Sequence, residues 1–130
     1  MLAGVRIISR ALGLCAWFFA AMYLGPAELA NHTRSGEQDS VVQALDSLGP
    51  VWPVLFVFAG AGVLLSARRR RWAVPAHGIA AGVWVFYGLA TLLGAILSEP
   101  PVPVLTGGLA ISAAVIHYGA ARCWADWGIK

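Results

Sequence analysis

Residues 48–72 read LGPVWPVLFVFAGAGVLLSARRRRW, and the abrupt change at their end decides the fold. From Leu48 to Ala67 no charged side chain interrupts the run. As a helix that length rises about 30 Å, the thickness of a bilayer's hydrocarbon layer. Pro50 and Pro53 fall near its start, where the first helical turn needs no amide donors. Arg68 to Arg71 then end it. Each arginine at mid-membrane costs roughly 2.5–3.5 kcal/mol on insertion scales, so burying all four would cost on the order of 10 kcal/mol or more. The helix must leave the apolar layer at Ala67.

The rest of the composition agrees. Of 130 residues, 59% are hydrophobic and 12% charged, and the mean hydropathy is +0.74. Soluble domains average about 45–50% apolar and 25% charged. The length suits one domain, residues 1–130. A formal net charge of +3 raises nucleic acid as a partner. Eight of the nine basic residues, however, sit beside apolar runs or near the chain ends, Arg34 of the 31–47 loop being the exception, with no basic stripe interleaved with exposed aromatics. Eight arginines stand against one lysine, a bias usual in high-GC genomes such as those of actinobacteria and their phages.

Three further runs are long enough to cross. The first spans about residues 8–27, with Arg10 placed to snorkel and Pro26 at its end. The third is 72–97. The fourth is 102–121, after the Ser98-Glu99-Pro100-Pro101 turn. The prediction is an all-α membrane protein of four transmembrane helices, 8–27, 48–67, 72–97 and 102–121, packed as an antiparallel bundle. Ser40 and Gln43 have capping-box spacing. A short helix over 40–48 would either lie on the outer membrane surface or simply lead into the second span.

Orientation follows from the basic residues, which collect on the cytoplasmic side. Arg6 and Arg10 precede the first span, Arg68, Arg69, Arg70 and Arg71 join the second and third, and Arg122 and Lys130 follow the fourth. Four crossings put all of them on one side, with both termini cytoplasmic in an inner-membrane protein. The same arginines can attract anionic headgroups, so membrane lipids are the first partners expected. Arg6, Arg10 and Leu12 to Leu24 also have the order of a signal peptide. Gly25-Pro26-Ala27 is a poor cleavage site, so residues 1–27 are expected to stay.

No carboxylate or amine lies within the central parts of the four runs, which argues against ion-coupled transport. No Ser-His-Asp constellation, phosphate loop or CxxC pair is present, and enzymatic activity and a cofactor are not expected. Cys15, His77 and His117 fall at a similar depth near the cytoplasmic face, with Cys123 close by, so a thiolate and two imidazoles could meet around a metal. The simpler reading is that each His bonds a carbonyl or water and each Cys packs as a small apolar residue. No metal is assigned.

Small residues form a clearer pattern. Gly78 and Gly82 make a GxxxG step, Gly88 continues the third span, and Gly108 and Ser112 lie along one stripe of the fourth. Such faces let helix backbones approach where lipid supplies no hydrophobic drive. They can serve packing inside one bundle or association between copies. Trp17, Trp52, Trp72, Trp84, Trp124 and Trp127, with Tyr23 and Tyr118, fall mostly near span ends and read as an interfacial aromatic belt.

With this length, these short-looped apolar helices, no buried charge and no enzyme motif, the chain resembles the small phage membrane proteins called holins. The resemblance implies self-association in the cytoplasmic membrane and permeabilisation during host lysis. Gly78, Gly82, Gly88, Gly108 and Ser112 would then be the association positions, in a homo-oligomer. The tail, Cys123 to Lys130, is shorter and less charged than in many holins. The alternative is a non-pore accessory or superinfection-exclusion protein that acts by touching a membrane protein partner, in which case Glu37, Asp39 and Asp46 of the outer loop would matter more.

Overall fold

The computed structural model describes residues 2–25, 41–46, 48–97 and 104–127. Its elements, in chain order, are α1 (Leu2–Leu24), α2 (Val41–Asp46), α3 (Val51–Ser66), α4 (Arg70–Ile96) and α5 (Leu105–Asp126). No strand occurs among the described residues.

The ends of these helices have local causes. α1 begins six residues earlier than the apolar run, because Arg6 is as good a helix former as the leucines around it, and stops at Leu24, ahead of Gly25-Pro26. α3 starts after Pro50, with Pro53 in the first turn, and the amide of Val54 makes an early helical bond to the Pro50 carbonyl at 3.2 Å. Its last turn tightens through Arg68 N to Leu65 O, 3.3 Å, and Arg69 N to Ser66 O, 2.9 Å. α4 follows at once and takes Arg70 and Arg71 into its first turn, with Pro75 inside the helix. α5 runs five residues past the expected end at Ala121, so Cys123 to Asp126 of the tail are helical.

α1 packs on α3, α3 on α4, α4 on α5, and α5 meets α1 more lightly to close the ring. Two of these contacts are made close by facing glycines. A Cβ on Gly13 would lie 3.1 Å from the Gly60 carbonyl, and one on Gly60 would lie 2.8 Å from the Gly13 carbonyl. Between α4 and α5, Gly88 and Gly107 repeat the arrangement at 3.2 and 3.0 Å. Neither pair leaves room for a side chain without moving backbone.

The inward line of each helix alternates steps of four and three residues. It is Ser9, Gly13, Ala16, Ala20 on α1, and Trp52, Phe56, Ala59, Val63, Ser66 on α3. On α4 it is Ala73, His77, Ala80, Trp84, Tyr87, and on α5 Ala110, Ala114, His117, Ala121, Trp124. This is the heptad seam of coiled coils, filled here with small and aromatic residues. Aromatic rings bridge the centre. Phe19 meets the edge of Trp84 at 4.8 Å between centroids, Phe56 packs on Trp84 at 4.7 Å, and the Tyr23 and Tyr87 hydroxyls bond at 2.9 Å.

Two sequence readings change. Trp52, Trp84 and Trp124 lie in the core rather than in an interfacial belt, while Trp17 and Trp72 remain outside. The short helix is present as α2, but Val42 and Leu45 pack onto the bundle, and the Trp52 indole donates to the Val42 carbonyl at 3.2 Å. It therefore caps the bundle end. Its proposed capping residue Ser40 and the Gln43 side chain lie outside what the structure describes.

The distribution of polarity is inverted relative to a water-soluble fold. Phe58 is 73% exposed, Ile79 65% and Leu65 68%, whereas Ser9, His77 and His117 are fully buried. Two helices, over Ala3–Leu24 and Arg71–Ile96, are long and apolar enough to cross a membrane. α3, with 16 residues, is apolar but spans only about 24 Å.

Candidate functional site

Of the buried polar residues, Ser66 bonds back to the Val63 carbonyl of its own helix, and the others gather in one place. Ser9 comes from α1, His77 from α4, and His117 and Trp124 from α5. His77 and His117 occupy seam positions two turns from Trp84 and from Ala110 respectively, where the helix face that carries the core must also carry them. Ser9 and Trp124 hold the matching seam positions on their helices.

The four side chains form a continuous chain. The Trp124 indole N–H donates to Ser9 Oγ at 3.0 Å. Ser9 Oγ lies 2.9 Å from His77 Nε2. His77 Nδ1 then faces His117 Nδ1 at 3.0 Å, with the two rings tilted and their centroids 5.2 Å apart. The proton placement that satisfies most groups follows from the donor inventory. Trp124 can only donate, so Ser9 accepts there and gives its own hydrogen to His77 Nε2. His77 then carries its proton on Nδ1 and donates to His117 Nδ1, which leaves the His117 proton on Nε2. That atom is buried without a partner, as is the Trp84 indole nitrogen.

Ser9, His77 and His117 have the order of nucleophile, base and orienting group that acyl-transfer sites use. Three features make the arrangement a linkage instead. Ser9 is fully buried, its oxygen already accepts from Trp124, and the third member is a neutral imidazole with no charge to stabilise an imidazolium. What the chain does is tie α1 to α4 and α5 at one level, where α1 and α5 otherwise touch little.

The sequence placed His77 and His117 at one depth, and the structure brings them into contact. Cys15 and Cys123 are both exposed, so of the thiol and imidazole groups at that depth only the two imidazoles meet. Among the described residues no three His, Cys, Asp or Glu side chains are grouped. Ser9 and Trp124 were missed. Their signal was the shared seam spacing, which becomes visible only when all four helices are read together.

The small residues divide into two sets. Gly88 is buried against Ile111 and Gly107 inside the α4–α5 contact. Gly78, Gly82 and Gly108 lie on the outside with nothing within 4 Å of a Cβ built on them, as does Gly119. Ser112 is exposed on the same stripe as Gly108 and donates to its carbonyl at 2.9 Å.

Among the described residues the arginines lie toward one end of the bundle. Arg6 and Arg10 are exposed on α1, and Arg68 and Arg69 are exposed in the turn between α3 and α4. Arg70 opens α4. Arg71 lies over the Trp72 ring at 5.4 Å, and Arg122 pairs with Asp126 at 4.0 Å. Arg10, Arg68, Leu14, Leu64 and Leu65 line an open groove of about 440 Å³ between α1 and α3. Comparison of the chain with protein-family models, with curated proteins and with solved structures finds no match.

Proposed function

We propose that the chain crosses the cytoplasmic membrane four times, with both termini and Arg68 to Arg71 inside, and self-associates there to permeabilise the membrane in the manner of a holin. The observation that carries this reading is the outward face of α4 and α5, where Gly78, Gly82, Gly108 and Gly119 meet nothing in their own bundle. Glycines on a helix cost about 0.5–1 kcal/mol each relative to alanine. Two such glycines on each of two helices are accounted for by a second backbone that approaches them.

Two features support membrane insertion. The outer surface is apolar and the polar chain is internal, the arrangement lipid favours. The basic residues of three segments also share one side under four crossings. The centre of each bundle is filled by Phe19, Phe56, Trp84 and Tyr87. A lesion therefore opens between copies, around an assembly, and not through one molecule.

The test is inducible expression in a bacterium with membrane potential and growth followed together. The expected result is depolarisation after a delay, abolished or strongly delayed by Gly82→Leu and Gly108→Leu. Gly62→Leu serves as the control, since it also has open space around it but lies on α3. Stable growth and potential at full membrane insertion would sink permeabilisation and favour action by contact with a membrane partner.

A further inference from the structure

The groove between α1 and α3 has a composition that the self-association reading does not use. Its walls are Leu14 on α1 with Leu64 and Leu65 on α3, and its rim carries Arg10 and Arg68. Arg10 comes from α1 and Arg68 from the turn after α3, and they stand at different heights. From the Gly13–Gly60 contact, Arg10 is three residues away and Arg68 eight, about 4.5 Å and about 12 Å along the bundle. Arg10 therefore lies deeper, and its side chain must reach toward the rim along the leucines to bring its guanidinium near that of Arg68. Among the described residues the only ion pair is Arg122 with Asp126, so no carboxylate is shown holding either groove arginine.

We infer that this groove is a binding site for one anionic phospholipid, whose phosphate bridges Arg10 and Arg68 while the upper part of one acyl chain lies along Leu14, Leu64 and Leu65. The inference rests on the membrane-inserted reading and not on self-association. Two planar guanidinium forks are suited to the several oxygens of a phosphate diester. A headgroup site on the cytoplasmic side of two membrane helices is the natural place for them. A volume of about 440 Å³ suits a headgroup and the first methylenes, within the roughly 300–1,000 Å³ of small-molecule pockets. The groove is open, so a lipid can enter it without any helix moving. Charge complementarity selects the occupant: a zwitterionic headgroup brings an amine that the two arginines repel.

The experiment uses the full chain, purified in mild detergent and examined by native mass spectrometry with an equimolar mixture of phosphatidylglycerol and phosphatidylcholine of identical acyl chains. One phosphatidylglycerol is expected to stay bound in preference. The Arg10→Gln/Arg68→Gln double variant should lower that retention by about thirtyfold, a factor of about five for each charge. Arg122→Gln, outside the groove, should not change it. Leu65→Trp, which keeps both charges and fills the acyl path, should also lose retention, and unchanged helicity keeps both variants informative. Equal retention of the two lipids, or full retention in the double variant, would overturn the inference. So would displacement of the lipid by millimolar inorganic phosphate, which would identify a plain anion site. Membrane insertion is checked separately by flotation after an alkaline wash. Failure there removes the four-span reading as well, whereas insertion without lipid preference removes this inference alone.

Discussion

The polar chain makes a prediction that its geometry fixes closely. His77 makes two side-chain bonds, to Ser9 and to His117, while His117 makes one. Replacing His77 by Leu keeps much of the volume and removes both bonds. Replacing His117 by Leu removes one. The double variant still removes only two, because the shared bond is counted in both single changes. Interhelical hydrogen bonds in membrane proteins average about 0.6 kcal/mol and reach about 1.7. His77→Leu should therefore cost about 1.2–3.4 kcal/mol and His117→Leu about 0.6–1.7. The double variant should be less destabilised than their sum by one bond, about 0.6–1.7 kcal/mol. Each single change also leaves the other ring's buried Nδ1 without its partner, a cost absent from the double variant, which pushes it further in the same direction. The assay is reversible unfolding in mixed micelles, with helicity followed as denaturing detergent is added. Additive losses, within the 0.3–0.5 kcal/mol typical of independent sites, would refute the idea that the two rings act as one link.

The glycines give two opposite expectations in the same assay. Gly60→Ala puts a Cβ 2.8 Å from the Gly13 carbonyl and 2.5 Å from Trp17 Cδ1, and should destabilise by about 1–3 kcal/mol through overpacking. Gly78→Ala meets open space and should stabilise the monomer by about 0.5–1 kcal/mol through helix propensity; a loss there would mean its outer face is packed within one copy. Topology is tested by reporter fusions: a cytoplasm-only reporter should be active at the C-terminus, and a reporter that needs export should be active when inserted between residues 31 and 40. The opposite pattern would reverse the positive-inside assignment. Trp124→Phe removes the indole N–H that reaches Ser9 while keeping an aromatic ring. It should cost about 0.5–1.5 kcal/mol, and no change in unfolding would show that Ser9 is satisfied elsewhere.

Much of the helical layout was legible because arginines and prolines punctuate it. The four arginines after Ala67 and the prolines at 50 and 53 bound α3 within a few residues of its observed ends. The apolar runs gave α1, α4 and α5 but not their full extents. Hydropathy reports where lipid begins, and a helix continues past that point when Leu2 to Ile7 or Arg122 to Asp126 keep good helix formers and an i,i+4 pair. The inward seam was not legible from hydropathy, since in an apolar helix both faces look alike. What marks the inside here is size and polarity: alanine, glycine, serine and histidine at steps of four and three. That rule is also why Trp52, Trp84 and Trp124 were misplaced. Tryptophan near a span end suits an interface, but Trp52 and Trp124 fall on the seam, and Trp84 stands mid-helix in α4. The contact between His77 and His117 was visible only as equal depth, which cannot distinguish neighbouring helices from opposite ones.

The facing glycines divide the molecule in a way that bears on how it can rearrange. α1 with α3, and α4 with α5, are each locked backbone to backbone, whereas the contact between the two pairs is made by side chains: aromatic edges, small residues such as Ala59, Val63 and Ala80, and the bonds from Ser9 to His77 and Trp124. The pairs are connected through residues 67–69 alone between α3 and α4. The bundle thus has one seam along which it can part with every helix and both glycine contacts intact. Parting there breaks the aromatic contacts and the two bonds of Ser9, and leaves each pair joined by its own facing glycines.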